Sequence, residues 1–239
     1  MRGSVVLFVA AVAAAILFGA CGPPRVEVGE LQTETRSVGP ENAESVRANL
    51  RMALGELNLT GGADGLMEAD FAYNVPDWQP QVNYEVVGDT GELSVEQQGL
   101  GEGIPNRDAR NEWDVRLNDA VPMDLRVQVG GGVSNLDLDS LVLTGLELDV
   151  GAGATTVDLT GEWERDLSAA VRGGAGEVTI LLPSQVGVRV NAGARLGRVN
   201  AEGLSRDGEA YVNDTYGNSD VTLQVDVSGG VGQINLKVV

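Results

Sequence analysis

The feature that most constrains this chain is a glycine-rich corner that recurs between two short segments of alternating apolar residues. Gly130-Gly131-Gly132, Gly151-Ala152-Gly153 and Gly173-Gly174-Ala175-Gly176 each follow one such segment and precede another. Around them, Leu125, Leu146, Leu167 and Val188 fall 21 residues apart, as do Val127, Leu148, Ala169 and Val190. Beyond the corners, Leu136, Val157, Val178 and Val199 keep the same 21-residue step. Period-two alternation is the mark of a half-buried strand, and glycine lets the backbone turn sharply and lie close to a neighbour. A unit this short cannot bury its apolar side alone, so the units must stack into a shared Leu/Val interior. The expected fold is all-β, a single-stranded β-solenoid resembling a β-helix, with coils of about 21 residues and an N-terminal β cap. A narrow interior also accounts for an aromatic content of only 4%.

Other segments fit less regularly. Leu50 to Leu59 and Val225 to Leu236 end in the same apolar-polar-apolar pattern, whereas Glu202 to Ser219 breaks it and reads as an inserted loop or a widened coil. Tyr84 to Val95, interrupted by Gly88 and Gly91, reads as a hairpin, and Asn111 to Leu117 as a strand with its odd positions inward. Helical periodicity is confined to Pro40 to Leu50. The organisation expected is a leader over 1–20, an anchor and tether over 21–44, an N-terminal β region over 45–105 and the repeat region over 106–239, with a hinge near 98–110.

Outward positions after the corners carry small polar residues. Asn58, Asp137, Asp158, Thr179, Asn200 and Asn235 are expected to align on one exposed face, as a solvated row or a ligand-binding ladder. Arg126 and Glu147 stand one coil apart and should form a weak surface ion pair. A calcium-binding β-roll requires Asp at a set place after the glycines; Val178 and Ile234 stand there instead. No metal and no cofactor is expected. Half of the aromatic residues that remain after a leader containing Phe8 and Phe18 lie in one stretch, Phe71, Tyr73, Trp78 and Tyr84. They suit either a stacking platform for a glycan or peptide, or a hydrophobic cap over the open end of the stack.

The first residues read as an address. Arg2 precedes fourteen apolar residues from Val5 to Phe18, then Gly19, Ala20 and Cys21. That length suits a signal-peptide core and is too short for a membrane span. The stretch resembles the bacterial lipoprotein signal, which implies cleavage before Cys21, lipidation of its thiol and export to the cell membrane or outer membrane. With no second Cys, the exported chain can form no internal disulfide. Loss of Arg2 takes the formal charge from −19 to −20, a surface that anionic headgroups repel, so the anchor is expected to hold the domain off the bilayer.

The same counts remove whole classes of chemistry. The absence of His and the single Cys exclude Ser-His-Asp and Cys-His catalysis, His-bearing zinc sites and a histidine pH switch. An excess of 35 acidic over 16 basic residues argues against nucleic acid as a partner. The run from Asn111 through Trp113 to Asn118, then Val121-Pro122 and Leu125, a glycine corner and Leu136 to Leu141 resembles the bacterial toast-rack domain family. So does the upstream segment with Phe71, Asn74, Trp78 and Tyr84. The resemblance spans about residues 45 to 239 and implies a β-solenoid at the cell envelope, akin to domains of the cell-wall-antibiotic response and of adhesin-like proteins, with no catalytic residues to carry over. The expected function is that of a non-enzymatic binding, scaffolding or envelope-stress module, with an envelope protein or glycan as partner. The alternative is a polysaccharide-acting enzyme or carbohydrate-binding protein on a β-helix, using paired carboxylates.

Overall fold

The computed structural model describes residues 26–98 and 107–239. The leader, Cys21 and most of the expected hinge lie outside the described residues. The strands are β1 (Gln32–Val38), β2 (Ser45–Met52), β3 (Gly55–Thr60), β4 (Met67–Tyr73), β5 (Pro80–Val87), β6 (Thr90–Gln97), β7 (Asn111–Leu117), β8 (Met123–Asp137), β9 (Leu143–Asp158), β10 (Leu167–Leu182), β11 (Gly187–Glu202), β12 (Ser205–Asp207), β13 (Ala210–Val212) and β14 (Thr222–Val238). Among the described residues the only helical turn is the 3-10 turn Pro76–Trp78, and no helix is long and apolar enough to cross a membrane. The helical reading of Pro40 to Leu50 is corrected: Ser45–Met52 is a strand whose alternate residues Val46, Ala48, Leu50 and Met52 are buried.

The long strands β8, β9, β10, β11 and β14 run in parallel and each passes through a glycine corner, giving two wings that enclose the core between them. The β2–β3 pair forms one more coil: β2 pairs with the part of β8 before its corner, β3 with the part after it. A β-solenoid of the kind expected is the result. What makes the corner is visible at Gly153. Its φ is +135°, and a Cβ there would lie 1.8 Å from the carbonyl oxygen of Gly132 on the preceding coil. Any other residue would push the coils apart or force a conformation that L side chains disfavour.

The register departs from a uniform 21-residue step. From β8 to β9 the step holds, with Leu136 beside Val157 and Val127 beside Leu148. From β9 to β10 it is 23: Ile180, not Val178, lies beside Val157, and Val171, not Ala169, beside Leu148. The return loop before β10 (159–166) is longer than that before β9 (138–142). The third step is also different, because β14 lies between β10 and β11. Val178 and Val199 therefore face Ile234, in an inward row that continues through Thr155 and Ser134. A slip of two residues returns every side chain to the same face, so an apolar pattern cannot detect it. Ser134 and Thr155 consequently bring two buried hydroxyls into the core with no partner among the described residues.

Short strands close the ends of the stack. On the first wing, the β5–β6 hairpin covers the N-terminal end and β13 with β12 the C-terminal end. The segment that broke the repeat thus supplies that second cover and carries the chain back to β14. On the second wing, β7, β4 and β1 extend the sheet beyond β3. Phe71 meets Trp113 edge-on at 5.3 Å between ring centres. Asn111 is buried at the first corner, donating to the Leu54 carbonyl (2.8 Å) and accepting from Trp113 Nε1 (2.9 Å). It satisfies a backbone carbonyl that a preceding coil would otherwise meet.

Candidate binding faces

Because each strand bends once, the solenoid presents two outer faces. On the second wing the central row runs across nine strands: Thr35, Asp70, Asp114, Asn58, Asn135, Thr156, Thr179, Asn235 and Asn200. Three groups of neighbours within it are linked side chain to side chain. Asn135 Nδ2 donates to Asn58 Oδ1 (3.0 Å), Asn58 Nδ2 to Asp114 Oδ1 (2.9 Å), Asn200 Nδ2 to Asn235 Oδ1 (2.7 Å) and Thr35 to Asp70 (2.6 Å). An amide donates at one end and accepts at the other, so stacked asparagines complete one another.

Four of the expected row members, Asn58, Thr179, Asn200 and Asn235, belong to this row. Asp137 and Asp158 do not: they face each other one position pair further along, where the row continues to Leu181, Lys237 and Glu202. The members sequence reading missed, Asn135 and Thr156 among the long strands, share a simple signal. In every coil the row residue stands three places after the last corner glycine: Gly55 and Asn58, Gly132 and Asn135, Gly153 and Thr156, Gly176 and Thr179, Gly232 and Asn235, Gly197 and Asn200.

The Asp137 carboxyl is raised above its ordinary range by partial loss of solvent first, although the residue as a whole is exposed, then by the charges of Asp139 and Asp158, with a backbone hydrogen bond at Asp139 opposing. Asp158 accepts the Thr160 amide at 2.9 Å. Among the described residues no group of three or more carboxylates and thiols is placed to hold a metal ion.

Of the two readings of the aromatic stretch, a stacking platform or a hydrophobic cap, the burial of its rings fits the cap. Phe71, Tyr73 and Trp78 are 2%, 3% and 1% exposed, so none offers a ring face to a ligand. Phe71 and Tyr73 belong to the main core and Trp78 to a small cluster with Val26 and Val75; Tyr84 is half-buried, its hydroxyl donating to the Pro40 carbonyl at 2.8 Å. Burial raises the Tyr73 and Tyr84 hydroxyls above their ordinary value, with Glu34 and Glu41 adding respectively.

The outer face of the first wing carries paired charges. Arg126 and Glu147 adjoin as expected (3.4 Å), and Arg172 joins them, reaching Glu147 at 2.6 Å and Asp149 at 3.1 Å. The hydrogen bond from Arg172, followed by the charge of Arg126, holds the Glu147 carboxyl below its ordinary value. Next to this cluster lies a groove of 690 Å³ whose floor is the row Asn83, Ser94, Asn49 and Arg126, flanked by Arg47, Glu92 and Asp124. Arg47 pairs with Glu92 at 2.6 Å, and the side-chain amides of Asn49 and Asn83 have no partner among the described residues. This groove joins residues from β5, β6, β2 and β8, and nothing in their spacing announces it.

Comparison with known proteins agrees with the fold. A crystal structure of a putative cell adhesion protein from Clostridium sporogenes ATCC 15579 is 34% identical, with a TM-score of 0.83 over 88% of this chain and 100% of that one. A putative lipid binding protein from Parabacteroides distasonis ATCC 8503 is 12% identical over 89% of this chain and 99% of that one, with a TM-score of 0.33. A putative adhesin from Bacteroides fragilis NCTC 9343 is 13% identical over the same 89% and 99%, with a TM-score of 0.23; neither of these two bears on the arrangement. No curated protein matches the chain. Residues 27–181 match the model of the N-terminal domain of toast_rack, DUF2154, and the chain belongs to that family.

Proposed function

We propose that this protein is a lipid-anchored module of the bacterial cell envelope that binds an envelope protein or glycan through its first wing and performs no chemistry. The observation that carries this reading is the groove over Asn83, Ser94, Asn49 and Arg126, which offers uncommitted amides beside charges of both signs. The Asn/Thr row of the second wing is weaker as a binding face because its amides are engaged with one another. The 34% identical relative, named for cell adhesion, supports a surface role. The leader and Cys21 support anchoring. Val26 is packed beside Val75 and Trp78, near Leu54 at the first corner. Five residues from Cys21 to Val26 span at most about 17 Å, so the anchor would keep this end of the domain close to the bilayer rather than far from it.

One observation favours a second reading. Asp137 and Asp158 form a juxtaposed carboxylate pair with one member raised, as acid catalysis on a polysaccharide requires. Asp137 is exposed and neither residue lines the groove, so the pair is better explained as adjacent surface charges. Retention of the full chain on immobilised envelope proteins and on cell-wall glycan separates the readings. Saturable retention with the glycan left intact is the expected result; release of shortened glycan that depends on Asp137 and Asp158 would establish an enzyme.

A further inference from the structure

The second wing ends differently at its two extremities. At the N-terminal extremity, edge strand β1 turns Glu34 and Arg36 toward the core side, opposite Phe71 and Ala69, and the two side chains are ion-paired. Charges placed inward on an edge are a device against further strand addition. At the C-terminal extremity, β11 beyond its corner pairs only with β14; β13 reaches no further than Arg189 and Val190. Its inward residues here are Val199 and Ala201, both apolar and only partly buried. Beside them Leu196 is 72% exposed and Val231 56%. Of the two extremities of the second wing, this is the one, among the described residues, with neither a further strand nor an inward charge.

The sequence of this edge is complementary to itself. An antiparallel pair centred on Asn200 sets Arg198 opposite Glu202 of a second copy and Glu202 opposite its Arg198. Val199 then meets Ala201 on the core side, Asn200 meets Asn200 in continuation of the amide row, and Leu196 is carried toward Leu204 of the second copy. Residues opposite one another in antiparallel strands share a face, so every pair in this register is matched in polarity or charge. We infer that residues 196–202 of β11 form the contact of a two-fold dimer, in which the two second-wing sheets join edge to edge into one continuous sheet. Such a contact is isologous and closes on itself, so it yields a dimer and not a filament.

The test uses the full chain in detergent with Cys21→Ser, which removes the native thiol. In this background Asn200→Cys places two thiols on Cα atoms about 4.5–5.5 Å apart, within disulfide reach. Asn235→Cys, one strand further in on each copy, places them too far apart. The expected result is a disulfide-linked dimer on mild oxidation for Asn200→Cys and none for Asn235→Cys. Arg198→Glu alone and Glu202→Arg alone should each weaken dimerisation about tenfold in sedimentation, and the two together should restore it. Both side chains are exposed, so the variants leave the folded domain intact. A monomer at every concentration reached would overturn the inference, as would equal linking at position 235 or a dimer indifferent to both charge changes.

Discussion

The two outer faces are made from the same bent strands, yet they are stabilised in different ways. Before the corners, neighbouring coils place opposite charges side by side, as in Arg126–Glu147–Arg172 and Arg47–Glu92. After the corners, they place amides and hydroxyls side by side, as in Asn135–Asn58–Asp114. A charge pair holds strands in register weakly and only at low ionic strength. An amide ladder is short-ranged and insensitive to salt, but it consumes its own donors and acceptors. One face is thereby left open to a polar partner and the other is committed to holding the coils together.

This contrast can be broken or sharpened by substitution. The largest effect should come at the corner, where both faces depend on one residue. Gly153→Ala places a Cβ 1.8 Å from the Gly132 oxygen at a φ of +135°. A loss of stability of about 3 kcal/mol or more is expected in denaturant titration. Gly193→Ala, where nothing lies within 4 Å of the added carbon, serves as the comparison and should change little. Next is the ladder: Asn135→Ala removes the bond to Asn58 and should cost about 0.5–1 kcal/mol, unchanged between low and high salt. Smaller still is Glu147→Gln on the charged face, detectable in thermal melts at low ionic strength and vanishing in 1 M salt, where the screening length falls to about 3 Å. Since Glu147 is held below its ordinary value in the fold, its contribution is present above the ordinary carboxylate range and fades as pH falls through that lowered value.

The smallest effect has the opposite sign. Asp137 binds its proton more tightly folded than unfolded, so its ionisation lowers stability as pH rises from its unfolded value through the raised folded one. Asp137→Asn should therefore raise the melting temperature slightly at neutral pH, and the gain should disappear in acid.

Much of this arrangement can be read from residues alone. Alternation at Leu125 and Val127 or at Trp113 and Val115 reveals strands and their buried sides, and the glycine clusters reveal the corners. Register is harder, because a step of 23 keeps the same alternation as one of 21 and so leaves Val157 beside Ile180 undetected. Counting from the last corner glycine recovers it, since the backbone close approach pins that residue while the return loops vary. The place of β14 between β10 and β11 is invisible to pattern, because its Val225, Val227 and Ile234 would suit any interior position. The aromatic stretch drew attention by its chemistry, yet the alternation of Phe71 and Tyr73 with Ala72 already marked both rings for the inside. The groove escaped notice because it joins positions as distant as Asn49 and Arg126, which only sheet order brings together.

The measurement that bears most directly on the account compares retention of three full-length proteins on isolated envelope material: the natural chain, Arg47→Glu/Arg126→Glu and Asn135→Ala/Asn235→Ala. With the first wing as the binding face, the charge-reversed protein should lose about tenfold or more in affinity while the ladder protein, less stable but folded, binds as the natural chain does. Loss confined to the ladder protein at equal folded fraction, or equal binding by all three, would contradict the assignment of binding to the charged face.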